Sequence, residues 1–301
     1  MDAIGSARIV LIAGPTASGK SAAALALAEA AAKGGRLAWI VNADAMQVYQ
    51  GLRILTARPR EAEGERAPHR LYGHVPPSVR YSVGAWLEDV APVLREAQAA
   101  GALPIVVGGT GLYFKTLTEG LAAVPDIPLD VRERWAERLQ RDGVAALHAL
   151  LAERDQKSAA TIRPSDPQRV LRALEVFEVT GLTLDERQDA PPLPPLVSIE
   201  ATAAFLVDVD RATLHRRIEE RFDRMVGEGA LEEVQALLAL KLDDRLPAMK
   251  AIGVREFAAA VRGEMTLEAA VAKAKTETRR YAKRQDTWFR HQMRGWRRVK
   301  G

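Results

Sequence analysis

Three short apolar runs stand out along the chain, each followed by small or polar residues. Arg8 to Ala13 reads as a buried strand; a glycine-rich loop follows, then an Ala/Leu-rich helix from Lys20 to Ala32 that Gly34 and Gly35 stop. Leu37 to Val41 reads as a second strand, ending at Asn42 and Asp44. Gly84 to Ala100 has helical spacing, with Pro92 marking a bend or break. Leu103 to Val107 reads as a third strand and runs into Gly108-Gly109-Thr110-Gly111. Strands alternating with helices predict an α/β fold with a parallel core. The stretch 58–80 lacks periodicity and holds Pro59, Pro68, Pro76 and Pro77, so it reads as a long loop.

The pattern changes near Gly120. Leu129 to Glu178 is helical throughout, and Asp166 followed by Pro167 predicts a capped helix through Val179. The proline-rich stretch Ala190 to Pro195 reads as a linker. Phe205 to Val209 is again strand-like, Asp210 is placed to cap a helix over Arg211 to Met225, and helices are expected from there to the C-terminus. The organisation expected is therefore a core begun by 1–129, a helical insertion domain at 130–189, and core completion with a basic helical segment at 190–301.

Composition narrows the chemistry. Among 301 residues there is no cysteine, which excludes disulfides and thiolate chemistry. No window approaches a membrane span, and the N-terminus runs into a strand pattern too early for a signal peptide. The net charge is only +4, yet Val271 to Gly301 alone carries eleven Lys/Arg against two Asp/Glu. A basic segment on a mildly acidic body fits a polyanionic partner; a solvated helical face explains the same charges equally well.

The strongest motif is Gly14-Pro15-Thr16-Ala17-Ser18-Gly19-Lys20-Ser21, a full G-x-x-x-x-G-K-[ST] between a strand and a helix. Backbone N–H groups there can cradle a phosphate at a helix N-terminus, with Lys20 adding charge and Ser21 a ligand for Mg²⁺. The core is thus P-loop NTPase-like. Kinases share this loop, but the third strand ends in Gly108-Gly109 and not in a metal-binding Asp. Asp44 instead follows the second strand, at the edge where parallel sheets bind ligands. By itself Asp44 reads as a base, a holder of metal-bound water, or a plain turn residue.

With these residues in place, the chain resembles the tRNA dimethylallyltransferase family, bacterial type. The resemblance runs through GPTASGKS at 14–21, NADAMQVYQGLRILTARP at 42–59, HRLYGH at 69–74, YSVGAW at 81–86 and VGGTGLYFKTLTEGL at 107–121. It continues in RPSDPQRVLRALEVFEVTG at 163–181, LHRRIEERFDRMVGEGALEEV at 214–234, AIGVREF at 251–257 and TRRYAKRQDTWFR at 278–290. It implies transfer of a dimethylallyl group from dimethylallyl diphosphate to N6 of adenosine 37 in tRNAs reading codons that begin with U. It also implies a cytoplasmic monomer that needs Mg²⁺ and whose P-loop holds the prenyl diphosphate rather than ATP.

Residue by residue, the resemblance makes Asp44 the general base and gives Thr110 and Arg217 to the diphosphate, with Arg221 one turn behind Arg217. It gives tRNA contacts to Asp44, Ala45, Met46 and Gln47, with Gln47 reading the adenine. Further contacts fall to Gln168, Arg169, Val170, Leu171 and Arg172, and to Lys283 and Arg284. Two positions depart from the family pattern: Ala45 replaces a serine, and His69-Arg70 replaces a His-His pair. His69 and His74 read as loop histidines. The rival readings are an adenylate isopentenyltransferase, a small-molecule kinase, and a nucleic-acid-binding module with a vestigial P-loop.

Overall fold

A computed structural model describes residues 7–122, 127–184, 186 and 193–301. Part of the proline-rich stretch expected as a linker lies outside the described residues. The chain divides into two compact units, Met1–Thr118 with Leu196–Gly301, and Glu119–Pro195.

The first unit is built on six strands: β1 (Ile9–Ala13), β2 (Ala38–Asn42), β3 (His69–Arg70), β4 (Leu103–Gly108), β5 (Thr202–Asp208) and β6 (Arg297–Lys300). They lie in the order β3-β2-β4-β1-β5-β6, and every pairing is parallel. Ala13 pairs with both Gly108 and Leu206, and Asn42 with Val107, so the carboxyl ends of the central strands share one edge. Alternate residues feed opposite faces. Val10 and Ile12 pack with Ile40, Ile105 and Val107 against Ala24, Leu25 and Ala28 of α1 (Lys20–Lys33). Leu11 and Ala13 pack on the other face with Val41, Val106 and Leu206. There they meet Trp86 and Val90 of α3 (Val83–Ala99), and Phe114 and Leu117 of α4 (Gly111–Glu119). Burying one such large apolar side chain contributes about 1.5–3 kcal/mol.

Trp86 also anchors the site. Its indole Nε1 donates to Asn42 O at 2.9 Å and its ring stacks on Tyr113 at 4.4 Å, which fixes the end of β2 just before Asp44. Ser82 caps α3, and of the bend or break expected at Pro92 there is no break, since the helix runs on through it.

The stretch 58–80 is more ordered than expected. It holds α2 (Glu61–Arg66) and β3, whose two residues pair with Ile40 and Val41. Six mostly polar residues and a two-residue strand are too short to show a period. Arg70 lies over the Trp39 ring at 4.4 Å, which helps seat this edge.

The C-terminal part packs four helices: α8 (Arg211–Gly227), α9 (Ala230–Ala239), α10 (Val254–Val261) and α11 (Leu267–Gln292). Their apolar faces, with Phe222, Val234, Phe257 and Ala282 buried, close over Val48, Tyr49, Leu52 and Leu55. Asp210 caps α8 as expected, accepting from Thr213 N. Glu233 of α9 accepts from the backbone N–H groups of Arg53, Ile54 and Leu55 at 2.7, 2.7 and 2.9 Å, clamping the segment that follows Asp44. The expected run of helices to the C-terminus is not what forms. Trp296 packs edge-on against Phe114, and Arg297–Lys300 adds β6 beside β5.

In the second unit, α5 (Leu129–Arg154, interrupted at Gly143), α6 (Gln156–Thr161) and α7 (Pro167–Thr180) pack around Trp135, Leu147, Leu151, Val170 and Leu174. Asp166 caps α7 by accepting from Arg169 N at 3.1 Å.

Candidate active site

The loop Gly14–Ser21 joins β1 to α1 at the common edge of the strands. Gly19 takes φ 92° at the start of α1, a conformation open to glycine and costly for other residues. Lys20 is buried, and its Nζ donates to Pro15 O at 3.2 Å. Burial pulls its pKa down to about 8 against the upward pull of Asp44, and Arg221 lowers it further. A buried ammonium with one carbonyl partner among the described residues is arranged to receive an anion. Ser18 Oγ is also buried, with no hydrogen-bond partner among the described residues.

Asp44 sits just beyond β2. Its backbone N–H donates to Asn42 Oδ1 at 2.9 Å, and Oδ1 accepts from Met46 N at 3.0 Å. Asn42 Nδ2 donates to Asp44 O and to Leu71 O, both at 3.0 Å, so the turn is held without the second carboxylate oxygen. The β4 turn comes very close. A Cβ on Gly108 would stand 2.0 Å from Ala43 O, which is why glycine is needed there. Thr110 Oγ1 accepts from Ala45 N at 2.9 Å, leaving its hydroxyl proton available to another acceptor. The amide of Ala45, not a side chain, makes this link.

Two of the α8 arginines reach the P-loop. Arg217 Nη1 donates to Ser18 O at 3.1 Å, and Arg221 Nη1 to Thr16 Oγ1 at 3.1 Å. Neither makes an ion pair with Glu220 or Glu228, which face Arg216 and Arg60. Burial holds the Arg221 guanidinium down to about 10, with Asp44 opposing and Arg224 assisting. A cavity of about 300 Å³ brings Thr16, Asp44 and Arg221 together with the apolar Leu55, Phe222 and Ile252. A smaller one of about 220 Å³ lies at Thr110 and Trp288, and Tyr281 and Arg284 line both.

Gln285 was not singled out by the sequence reading. It is buried on α11; its Oε1 accepts from Thr16 N at 2.9 Å and its Nε2 donates to Gly109 O at 2.9 Å. It therefore ties the P-loop to the turn that carries Thr110. The only signal was its place inside the TRRYAKRQDTWFR run.

Other expected residues divide. Gln47 Nε2 donates to Thr56 O and Ala57 O at 2.8 and 3.2 Å, so only its oxygen is left for a base edge. Val170 is fully buried in the helical unit and offers no side chain to RNA, whereas Gln168 and Arg169 are exposed. Leu171 and Arg172 are half-buried, and Arg172 lies 3.7 Å from Glu175. His69 bonds Ala67 O, and His74 meets Asp89 and Tyr81, as loop histidines. In the basic segment, Lys275, Arg279, Arg280, Arg290 and Arg298 pair with carboxylates. Lys283 and Arg284 are exposed and make no ion pair among the described residues. No group of three or more His, Asp or Glu that could hold a metal occurs among the described residues. No described helix is long and apolar enough to cross a membrane.

Comparison with known proteins gives one answer. The tRNA dimethylallyltransferase of Chelativorans sp. (strain BNC1) is 53% identical over 283 residues, covering 94% of this chain and 95% of that protein. Among solved structures, the tRNA isopentenylpyrophosphate transferase of Bacillus halodurans matches with TM-score 0.68 and 33% identity, over 97% of this chain and 89% of that one. A eukaryotic dimethylallyltransferase acting on tRNA matches with TM-score 0.80 and 26% identity, over 98% of this chain and 74% of that one. The family model described as IPP transferase matches residues 47–292, a span that takes in Gln47, Thr110, Arg217, Arg221 and Gln285. With its P-loop, its Asp44 turn and this match across most of its length, the chain belongs to the IPP transferase family.

Proposed function

We infer that the chain transfers the dimethylallyl group of dimethylallyl diphosphate to N6 of adenosine 37 in tRNA and releases diphosphate. The observation that carries this reading is the 300 Å³ cavity, which sets the Asp44 carboxylate beside the P-loop residue Thr16 and an apolar wall of Leu55, Phe222 and Ile252. The wall suits a five-carbon apolar group and the P-loop suits its diphosphate. Adenine N6 attacks the prenyl carbon, the C–O bond breaks, and its electron pair leaves on the diphosphate. Asp44 takes the N6 proton as the new bond forms. Lys20, Thr110, Arg217 and Arg221 offset the negative charge that grows on the leaving oxygens. Mg²⁺ would be held with the diphosphate by the hydroxyl oxygen of Ser21, a hard donor suited to it, and would neutralise diphosphate charge there.

A flipped adenosine is the form in which this base reaches a half-buried carboxylate in a cavity. Gln168, Arg169 and Arg172 of the helical unit, and Lys283 and Arg284 of α11, serve as contacts to the anticodon stem-loop. The test supplies labelled dimethylallyl diphosphate with unmodified tRNA, AMP and ATP in parallel. Label is expected in tRNA alone. Label in AMP favours the free-nucleotide reaction, and ATP turnover without prenyl transfer favours a kinase.

The state of Lys20 adds a pH dependence. In the free protein its pKa is lowered to about 8, first by burial. A bound diphosphate favours the charged form, so above pH 8 binding must take up a proton. Affinity for dimethylallyl diphosphate should therefore be steady below that pH and weaken by about tenfold per unit above it. Calorimetry at pH 7 and pH 9.5, in buffers of different ionisation heat, measures both affinity and proton uptake. Equal uptake by Lys20→Ala would assign the proton elsewhere.

A further inference from the structure

A second cavity meets the lining of the one around Asp44 at Arg221. This cavity measures about 460 Å³ and gathers Arg53, Arg58, Arg60, Arg221 and Arg224 against two carboxylates. Both carboxylates are already committed to Arg60. Glu228 pairs with its guanidinium, and Glu63 accepts from its backbone N–H at 2.9 Å. The nearby Glu233 is occupied by three backbone N–H groups. Arg53, Arg221 and Arg224 make no ion pair among the described residues, and among them the buried Arg221 Nε has no hydrogen-bond partner. Like charges also stand close enough to disturb one another. After burial, Arg53 is the next cause lowering Arg58, and Arg224 adds to the lowering of Arg221. A concave site lined by more guanidinium than carboxylate charge, one of its arginines keeping an unpartnered N–H among the described residues, suits a compact multivalent anion.

We propose that this cavity is a second diphosphate site, which receives the inorganic diphosphate released by transfer. The inference rests on the function proposed above, because diphosphate is that reaction's leaving group. Arg221 belongs to both cavities, so an anion moving from the P-loop keeps one guanidinium partner as it acquires Arg53, Arg58 and Arg224. An RNA backbone presents single charges spaced along a strand, and matches converging arginines in a pocket less well than one anion with several oxygens.

The experiment is equilibrium dialysis of labelled inorganic diphosphate against the full chain with Mg²⁺ and without tRNA. The parent chain is expected to bind two equivalents. Arg53→Gln/Arg224→Gln should lose the second site, weakened by about tenfold or more per arginine. Lys20→Ala should lose the P-loop site and keep the other. Arg53 and Arg224 are exposed, so an unchanged melting temperature is the check that the double variant folds. One equivalent in the parent chain, or two retained by the double variant, overturns the proposal. So does a double variant that keeps its diphosphate and loses tRNA affinity, since the arginines would then be RNA contacts. Binding is counted without turnover, so a failed transfer assay sinks the proposed reaction and leaves this count to stand or fall separately.

Discussion

Asp44→Ala should lower prenyl transfer by about 10²–10⁴-fold, the usual effect of removing a general base, with tRNA affinity close to that of the parent chain. The amino group of adenine is a poor nucleophile because its lone pair is delocalised into the ring. Attack becomes favourable when a carboxylate accepts the proton during bond formation. Asp44 is half-buried at the carboxyl end of β2 and shares its cavity with Thr16 and Arg221. Its surroundings survive its loss, since the turn is held by Asn42 Nδ2 bonds to Asp44 O and Leu71 O and by Trp86 on Asn42 O. Asp44→Asn separates base from scaffold. The amide oxygen can still accept from Met46 N, but it cannot take a proton at neutral pH. Single-turnover transfer with saturating substrates is the measurement. Both variants should fall together, and an asparagine variant with parental turnover would remove Asp44 from proton transfer.

Much of the core is legible from the chain because its signals are local. IVLIA, LAWIV and LPIVV are apolar over a full strand length, and GPTASGKS places a phosphate loop by spacing alone. The caps at Asp166 and Asp210 could be read for the same reason, since each is a polar residue immediately before an amphipathic run. What escaped depends on partners distant in sequence. Arg297–Lys300 is polar by composition and becomes a strand only because β5 offers an open edge, with Phe205 opposite Arg297. Its arginines and lysine also suit an edge, where charge discourages pairing with another chain. Gln285 reads as one more polar residue on a basic helix until Thr16 is found beside it, 269 positions away. The basic segment itself was ambiguous, and the fold resolves it in part. Lys275, Arg279 and Arg298 answer acidic residues of the body, and Lys283 and Arg284 stay exposed.

Arg217→Ala and Arg221→Ala should each lower kcat/KM for dimethylallyl diphosphate by about 10²–10³-fold, the range for losing one donor to a developing oxyanion. The alternative is that α8 simply carries surface ion pairs, worth little in turnover. Geometry weighs against it, because Arg217 donates to Ser18 O and Arg221 to Thr16 Oγ1, and neither has a carboxylate partner among the described residues. The two residues nevertheless differ. Arg217 binds a backbone carbonyl of the P-loop, so its loss relaxes the cradle as well as removing charge, and KM for the donor should rise along with the fall in kcat. Arg221 lies in the cavity with Asp44, and burial already holds its pKa down to about 10. A desolvated cation gains most as the leaving group becomes most negative, so its loss should fall mainly on kcat. Arg221→Lys tests the fork, since an ammonium keeps the charge and cannot hold two oxygens in one plane. Steady-state kinetics in the donor, with tRNA affinity measured separately, decides between them. If Arg217→Ala keeps its kcat/KM while Arg221→Ala does not, the diphosphate arginine of this chain is Arg221, one turn further along α8 than the family pattern places it.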